Sequence, residues 1–212
     1  MRLTVHRIPF STNVERIALA AAHKGIAVDW VDHDPADRSA IRALSGQDFV
    51  PVAQIDGRVV ADSPVILREL ERIAPDPPLW PAEPARRAEA ELFVDWFNRV
   101  WKVAPNRMAD EPEAPEQDAW AIELRGSLDR FEALLDGRDF LLGDELGIAD
   151  VVAFPFLKYA ASIEPGDPDR FHHVLAEHLA LGHTDACREA AHIDVYERLR
   201  GWLARCDALP RA

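Results

Sequence analysis

The chain has 212 residues, 48% hydrophobic and 29% charged, with 24 lysines and arginines against 37 aspartates and glutamates and a formal net charge of −13. That is the composition of a globular protein, and a polyanion without a basic block is repelled by phosphate backbones and anionic lipid, which argues against nucleic-acid and membrane-surface partners. The longest apolar runs, such as residues 151–157, fall short of the ~20 residues a membrane span needs, and residues 1–6 carry no leader-type apolar core, so a soluble cytoplasmic protein is expected.

Leu3, Val5 and His6 begin a short strand, and residues 12–23 carry Val14, Ile17, Ala18 and Ala21 at helical spacing, closed by Gly25. A second strand over 28–31 and a short helix over 38–44 follow. Residues 52–55 and 58–61 pair as a hairpin through Asp56-Gly57, and Ser63-Pro64 caps a helix reaching about Ile73. The order is βαβαββα. Residues 75–84 hold five prolines in ten, which no helix or central strand absorbs, so a linker over 75–85 is expected to separate a domain at 1–74 from a second at 86–212. The second reads as all helical. Phe93, Phe97, Val100, Trp101 and Ala104 share one face, and Ala121, Leu124, Leu128, Phe131 and Leu135 another, with further helices over 150–161 and 195–206. Cys187 and Cys206 are far apart and outside any Cys-x-x-Cys spacing, so neither a disulfide framework nor a dithiol motif is indicated.

Three short stretches can carry chemistry. Ser11 and Thr12 stand where the first strand turns into the first helix, a place whose unpaired amides and dipole favour anions and lower a thiol's pKa. The structural alternative is a plain cap, with Thr12-x-x-Glu15 as a capping box. Phe49-Val50-Pro51-Val52 puts proline at the mouth of a strand. Either it is a trans edge proline, or Pro51 is cis and turns the Val50 backbone toward an extended ligand. Asp62-Ser63-Pro64 is either a routine helix cap or a pair able to hold the ammonium and carboxylate of an α-amino acid group.

Taken together, Ser11-x-Asn13-Val14-x-Arg16, then Val50-Pro51, then Asp62-Ser63 twelve residues beyond Val50 resemble the glutathione-site framework of cytosolic glutathione S-transferases, with a first loop similar to the phi class. Leu141 to Asp150 with Ala153-Phe154-Pro155 resembles that family's buried capping segment, and Tyr196 to Leu203 its last helix. The resemblance implies a thioredoxin-like domain followed by an all-helical one, assembled as a homodimer. It implies glutathione as co-substrate, no metal, and a transferase of detoxification type acting on a small-molecule electrophile. Ser11 would stabilise the thiolate, Val50 before Pro51 would pair with the cysteinyl unit, Asp62 and Ser63 would bind the γ-glutamyl group, and Arg38 would meet the glycine carboxylate. Phe10, Phe97 and Trp101 would line an apolar electrophile pocket, with Met108 or Tyr159 as further candidates; the alternative for the aromatic stripe is bundle core.

The chain departs from the pattern at Phe49, where the phi class has glutamine, and at Gly147, where Ser or Thr normally opens the C-terminal cap. The 163–192 segment holds His172, His173, His178, His183 and His192, but at no helical His-x-x-x-His spacing, so it reads as solvated helix and loop. These departures motivate a second reading, a non-catalytic interaction protein on the same fold.

Overall fold

The computed structural model describes residues 2–8, 11–111, 114–158 and 196–212, which form two compact units, one of Met1–Trp80 with Leu209–Ala212 and one of Pro81–Ala208. In the first unit the elements are β1 (Leu3–Arg7), α1 (Thr12–His23), β2 (Asp29–Asp32), α2 (Ser39–Ser45), β3 (Val52–Ile55), β4 (Arg58–Ala61) and α3 (Ser63–Ile73). The sheet order is β2-β1-β3-β4, with β1 parallel to β2 and antiparallel to β3, and β3 antiparallel to β4. Asp56 and Gly57 both have positive φ, 48° and 85°, which is what a two-residue hairpin turn matched to the strand twist requires.

Helix α1 buries far more than an amphipathic stripe: Thr12, Val14 and every residue from Arg16 to Ala21 are buried. Its cap differs from the expected box. Ser11 is the N-cap and its carbonyl receives the Val14 and Glu15 amides, so Thr12 already lies inside the first turn and cannot cap it. Likewise Asp62, not Ser63, caps α3.

The proline-rich segment is held by a buried ion pair rather than left loose. Lys24, whose side chain is fully buried, pairs with Glu71 and donates to the carbonyls of Ala74 (2.7 Å) and Pro77 (3.0 Å). Glu71 in turn accepts the Leu79 amide at 3.1 Å and the Trp80 amide at 3.3 Å. Leu79 and Trp80 are thereby buried with the first unit. The last residues join it too, through Ala212 N–H to Ala18 O (3.1 Å) and Trp30 Nε1 to Ala212 O (2.9 Å).

The described elements of the second unit are α4 (Pro84–Trp96), a π-helical turn (Phe97–Trp101), α5 (Val103–Asp110), α6 (Gln117–Leu134), α7 (Ile148–Leu157) and α8 (Glu197–Asp207). Glu83 caps α4 by accepting the Ala85 and Arg86 amides at 3.0 and 2.8 Å, bonds that hold its carboxyl below the usual range. The π turn has a local cause. Pro105 has no amide to give the Trp101 carbonyl, and Lys102 N–H reaches back five residues to Phe97 O at 3.2 Å. The wider turn carries Val100 off the expected buried face: it is 49% exposed, while Phe93, Phe97, Trp101 and Ala104 are buried.

Every residue of α7 is buried, as suits a helix apolar on all sides. Its N3 residue, Asp150, ties the unit together: Oδ2 accepts the amide of the N-cap Gly147 at 2.9 Å, and Oδ1 accepts Leu141 N–H and Trp202 Nε1–H, both at 2.8 Å. Burial pushes this carboxyl up to about 6, against the downward pull of its three donors. On α6, Asp129 accepts the Tyr196 hydroxyl at 2.7 Å, and desolvation with that bond pushes the phenol up to about 12. Among the described residues no helix is long and apolar enough to cross a membrane.

Candidate functional site

The first-loop and Val-Pro stretches meet in one apolar cluster in which Ile8 and Val14 pack with Ile41, Val50 and Val52. The Val50-Pro51 peptide is cis. Asp48, two residues earlier, accepts Arg38 Nη1 through its carbonyl at 3.3 Å and pairs through its carboxylate with Arg42 at 2.7 Å. Arg38 also donates from Nε to Pro35 O at 2.9 Å, so its guanidinium is engaged with the turn it belongs to while remaining half-exposed.

The third stretch is bonded to the first. Ser63 Oγ lies 3.2 Å from Asn13 Oδ1, and Arg16 Nη1 lies 3.0 Å from Asn13 Oδ1 and 3.3 Å from Ser63 Oγ. Ser63 is buried, Asp62 beside it is exposed, and Arg16 is fully buried. Asp62 has φ 75° and ψ 126°, a backbone state that costs a non-glycine residue about 1–3 kcal/mol and that concentrates at ligand sites.

Ser11 is half-buried at the start of α1, and its hydroxyl oxygen accepts no cap bond from the first helical turn. The N-terminal turns of α1 and α3, the cis peptide and Arg38 therefore belong to one connected part of the first unit. Such an arrangement offers a hydroxyl and helix amides to an anionic sulfur, backbone beside a strand, and a carboxylate for an ammonium group.

The aromatic candidates are placed differently. Phe97 is 0% exposed and Trp101 5%, stacked on each other at 4.5 Å between ring centroids and met edge-on by Phe131. Trp101 Nε1 donates to Ser127 Oγ at 2.7 Å. These two pack within the core of the helical unit. A 3.6-residue stripe gives the buried face of a helix without saying whether side chains or a ligand cover it. Phe10, Tyr159 and the five histidines of 163–192 lie outside the described residues. Among the described residues no cluster of three metal-ligating side chains occurs.

Asn13 and Arg16 carry no assigned role in the sequence reading. Their spacing of three fits one helix face, but nothing in it tells that a guanidinium, ordinarily exposed, is buried there.

A thioredoxin-like unit with these three stretches, followed by a helical unit with a buried Asp cap, defines a two-domain architecture. Family models agree with it. Residues 5–78 match "Glutathione S-transferase, N-terminal domain" and residues 100–176 match "Glutathione S-transferase, C-terminal domain". The chain belongs to the glutathione S-transferase family. It is 28% identical over 147 residues to Glutathione S-transferase U7 of Arabidopsis thaliana, covering 68% of this chain and 63% of that protein's length. It is also 28% identical over 166 residues to Glutathione S-transferase GstB of Escherichia coli K12, covering 69% and 77%. The crystal structure of rice GST1 in complex with glutathione superposes with a TM-score of 0.75 at 23% identity, covering 98% of this chain and 86% of that one, a likeness that shows the fold.

Proposed function

We propose that the protein is a glutathione transferase that activates the glutathione thiol for attack on a small apolar electrophile. The observation that carries this reading is the connection of its three stretches, through the Ile8/Val14/Val50/Val52 cluster on one side and the Asn13/Ser63 bond on the other. In this reading Ser11 donates its hydroxyl to the thiolate and the α1 amides add positive potential, so that the thiolate persists near neutral pH. Val50 pairs with the cysteinyl backbone, Asp62 takes the γ-glutamyl ammonium, Ser63 takes the adjoining carboxylate, and Arg38 meets the glycine carboxylate from the turn before α2. The sulfur then forms a bond to the electrophilic carbon as the leaving group departs with its electron pair. Relatives named as glutathione transferases support the reaction class, and the family supports a cytoplasmic homodimer in detoxification.

Ser11→Ala, assayed with glutathione and a nitro-activated aryl chloride, tests the central role. Loss of a hydrogen bond to a charged sulfur is expected to lower kcat by about ten- to a hundredfold while glutathione affinity falls much less. Unchanged turnover would reassign thiol activation to another donor, such as Thr12 or Asn13. A protein that binds no glutathione and instead recovers a stoichiometric macromolecular partner would favour the non-catalytic reading.

A further inference from the structure

We propose that Arg211 is a positioning residue of this site, pairing with Glu15 so that the first turn of α1 presents its hydroxyl and amides to an anionic sulfur without an opposing negative charge beside them. The proposal deepens the glutathione reading and rests on it for the identity of that anion.

Helix geometry brings Glu15 to the site. Its amide donates to the Ser11 carbonyl at 3.1 Å, so it stands one turn above Ser11. A helical side chain leans toward the N-terminus, over the turn before its own Cα, and this directs the Glu15 carboxylate back toward the turn that begins at Ser11. A carboxylate there suits the helix dipole, but it occupies the positive end that an incoming thiolate would use. Two anions about 6–8 Å apart in a half-buried place also repel each other.

Arg211 meets that charge from 196 residues away. Its Nη2 lies 3.0 Å from Glu15 Oε1, the two side chains are only 27% and 12% exposed, and Nη1 donates to the Leu209 carbonyl. The pair is thus better shielded from water than an ordinary surface bridge, whose charges solvent and salt screen. The segment does not depend on the ion pair for its place. Ala212 N–H donates to Ala18 O at 3.1 Å and Ala212 O accepts Trp30 Nε1–H at 2.9 Å, so residues 209–212 are held against α1 and β2 through their backbone.

Other charged groups of the elements beside Glu15 are engaged elsewhere. Arg16 bonds to Asn13 and Ser63, and Lys24 pairs with Glu71. Asp29 and Asp32 of β2 pair with Arg2 and Arg7. On α3, Glu69 pairs with Arg58 and Arg72, while Asp62 and Arg68 stand exposed. Against Glu15 itself stands Arg211.

The test follows ionisation of the bound thiol, read from the ultraviolet absorbance of the thiolate against pH in the glutathione complex, for the parent, Arg211→Met, Glu15→Gln and the pair. Arg211→Met uncovers the carboxylate and is expected to raise the pH of half-ionisation by about 0.5–1, and Glu15→Gln, which leaves the guanidinium, to lower it by a similar amount. The pair should return to within about 0.2 of the parent, because the two charges cancel when both are absent. A merely structural role would weaken binding without producing shifts of opposite sign that cancel. An unmoved profile in Arg211→Met, or a pair displaced as far as Arg211→Met alone, overturns the proposal. Ser11→Cys separates this outcome from the identity of the ligand, since the thiol it introduces reports on the same turn with nothing bound. Its alkylation by iodoacetamide against pH should shift upward with Arg211→Met and recover in the pair. If the parent binds no glutathione, the functional reading falls and the alkylation profile decides the pairing: a shift upholds it and an unmoved profile overturns it.

Discussion

In the first unit a buried cation, Arg16, ties the start of α1 to the start of α3; in the second a buried anion, Asp150, ties the start of α7 to a preceding turn and to α8. Both sit in the first turns of a helix and both engage groups far away in sequence. Their partners differ in kind. Asp150 accepts two backbone amides and an indole N–H, all parts of the scaffold. Arg16 donates to two side chains, Asn13 and Ser63, that stand in the stretches assigned to ligand. The comparison separates two uses of a buried charge: one gathers backbone and an indole around a helix start, the other joins side chains at the starts of two helices.

The largest expected effect follows from Asp150. Asp150→Ala leaves three donors, two of them buried, without an acceptor and should lower the unfolding free energy by about 3–5 kcal/mol, measured by urea titration. A loss below ~1 kcal/mol would break the comparison, since the anchor would then carry no weight.

The pH dependence of stability comes next. The folded carboxyl is pushed up to about 6 from an ordinary 3.8, so between those values the folded protein holds a proton the unfolded chain has released. Stability from this group is therefore greatest below about 4, falls as pH rises toward about 6 and is level beyond, a span worth ~3 kcal/mol. Asp150→Asn should lack that limb, and a parent-minus-variant difference independent of pH would contradict it. Trp202→Phe removes one of the three donors and should cost about 1–2 kcal/mol in the same titration. Smallest is Gly147→Ser. Gly147 lies at φ −129° and ψ −179°, extended backbone open to any residue, and a hydroxyl at this N-cap should add a few tenths, about 0.3 kcal/mol. A loss on that substitution would show that the cap has no room for the hydroxyl.

Much of the first unit was legible because its punctuation is local. The Asp56-Gly57 turn, the helix over 12–23 and the proline before β3 follow from backbone chemistry that a few residues determine. Cap positions slipped by one residue at Ser11 and Asp62, since several neighbouring side chains could each serve as cap. What the sequence hid is long-range burial. Leu79 and Trp80 read as linker because prolines surround them, yet Lys24 and Glu71, some fifty residues apart, hold their segment against the first unit. The π turn depends on an amide missing at Pro105, four residues past the carbonyl it deprives. Arg16 shows the same limit. Its motif was visible, but its burial and its bonds to Ser63 arise only when α1 and α3 pack together.

The most direct test of the central claim is a calorimetric titration of reduced glutathione into the purified protein at neutral pH, repeated with Asp62→Ala. Saturable binding in the parent, weakened about tenfold or more when the carboxylate proposed to face the γ-glutamyl ammonium is removed, is the expected result. No heat at millimolar glutathione, or equal affinity in the two proteins, would contradict the assignment of this site to glutathione.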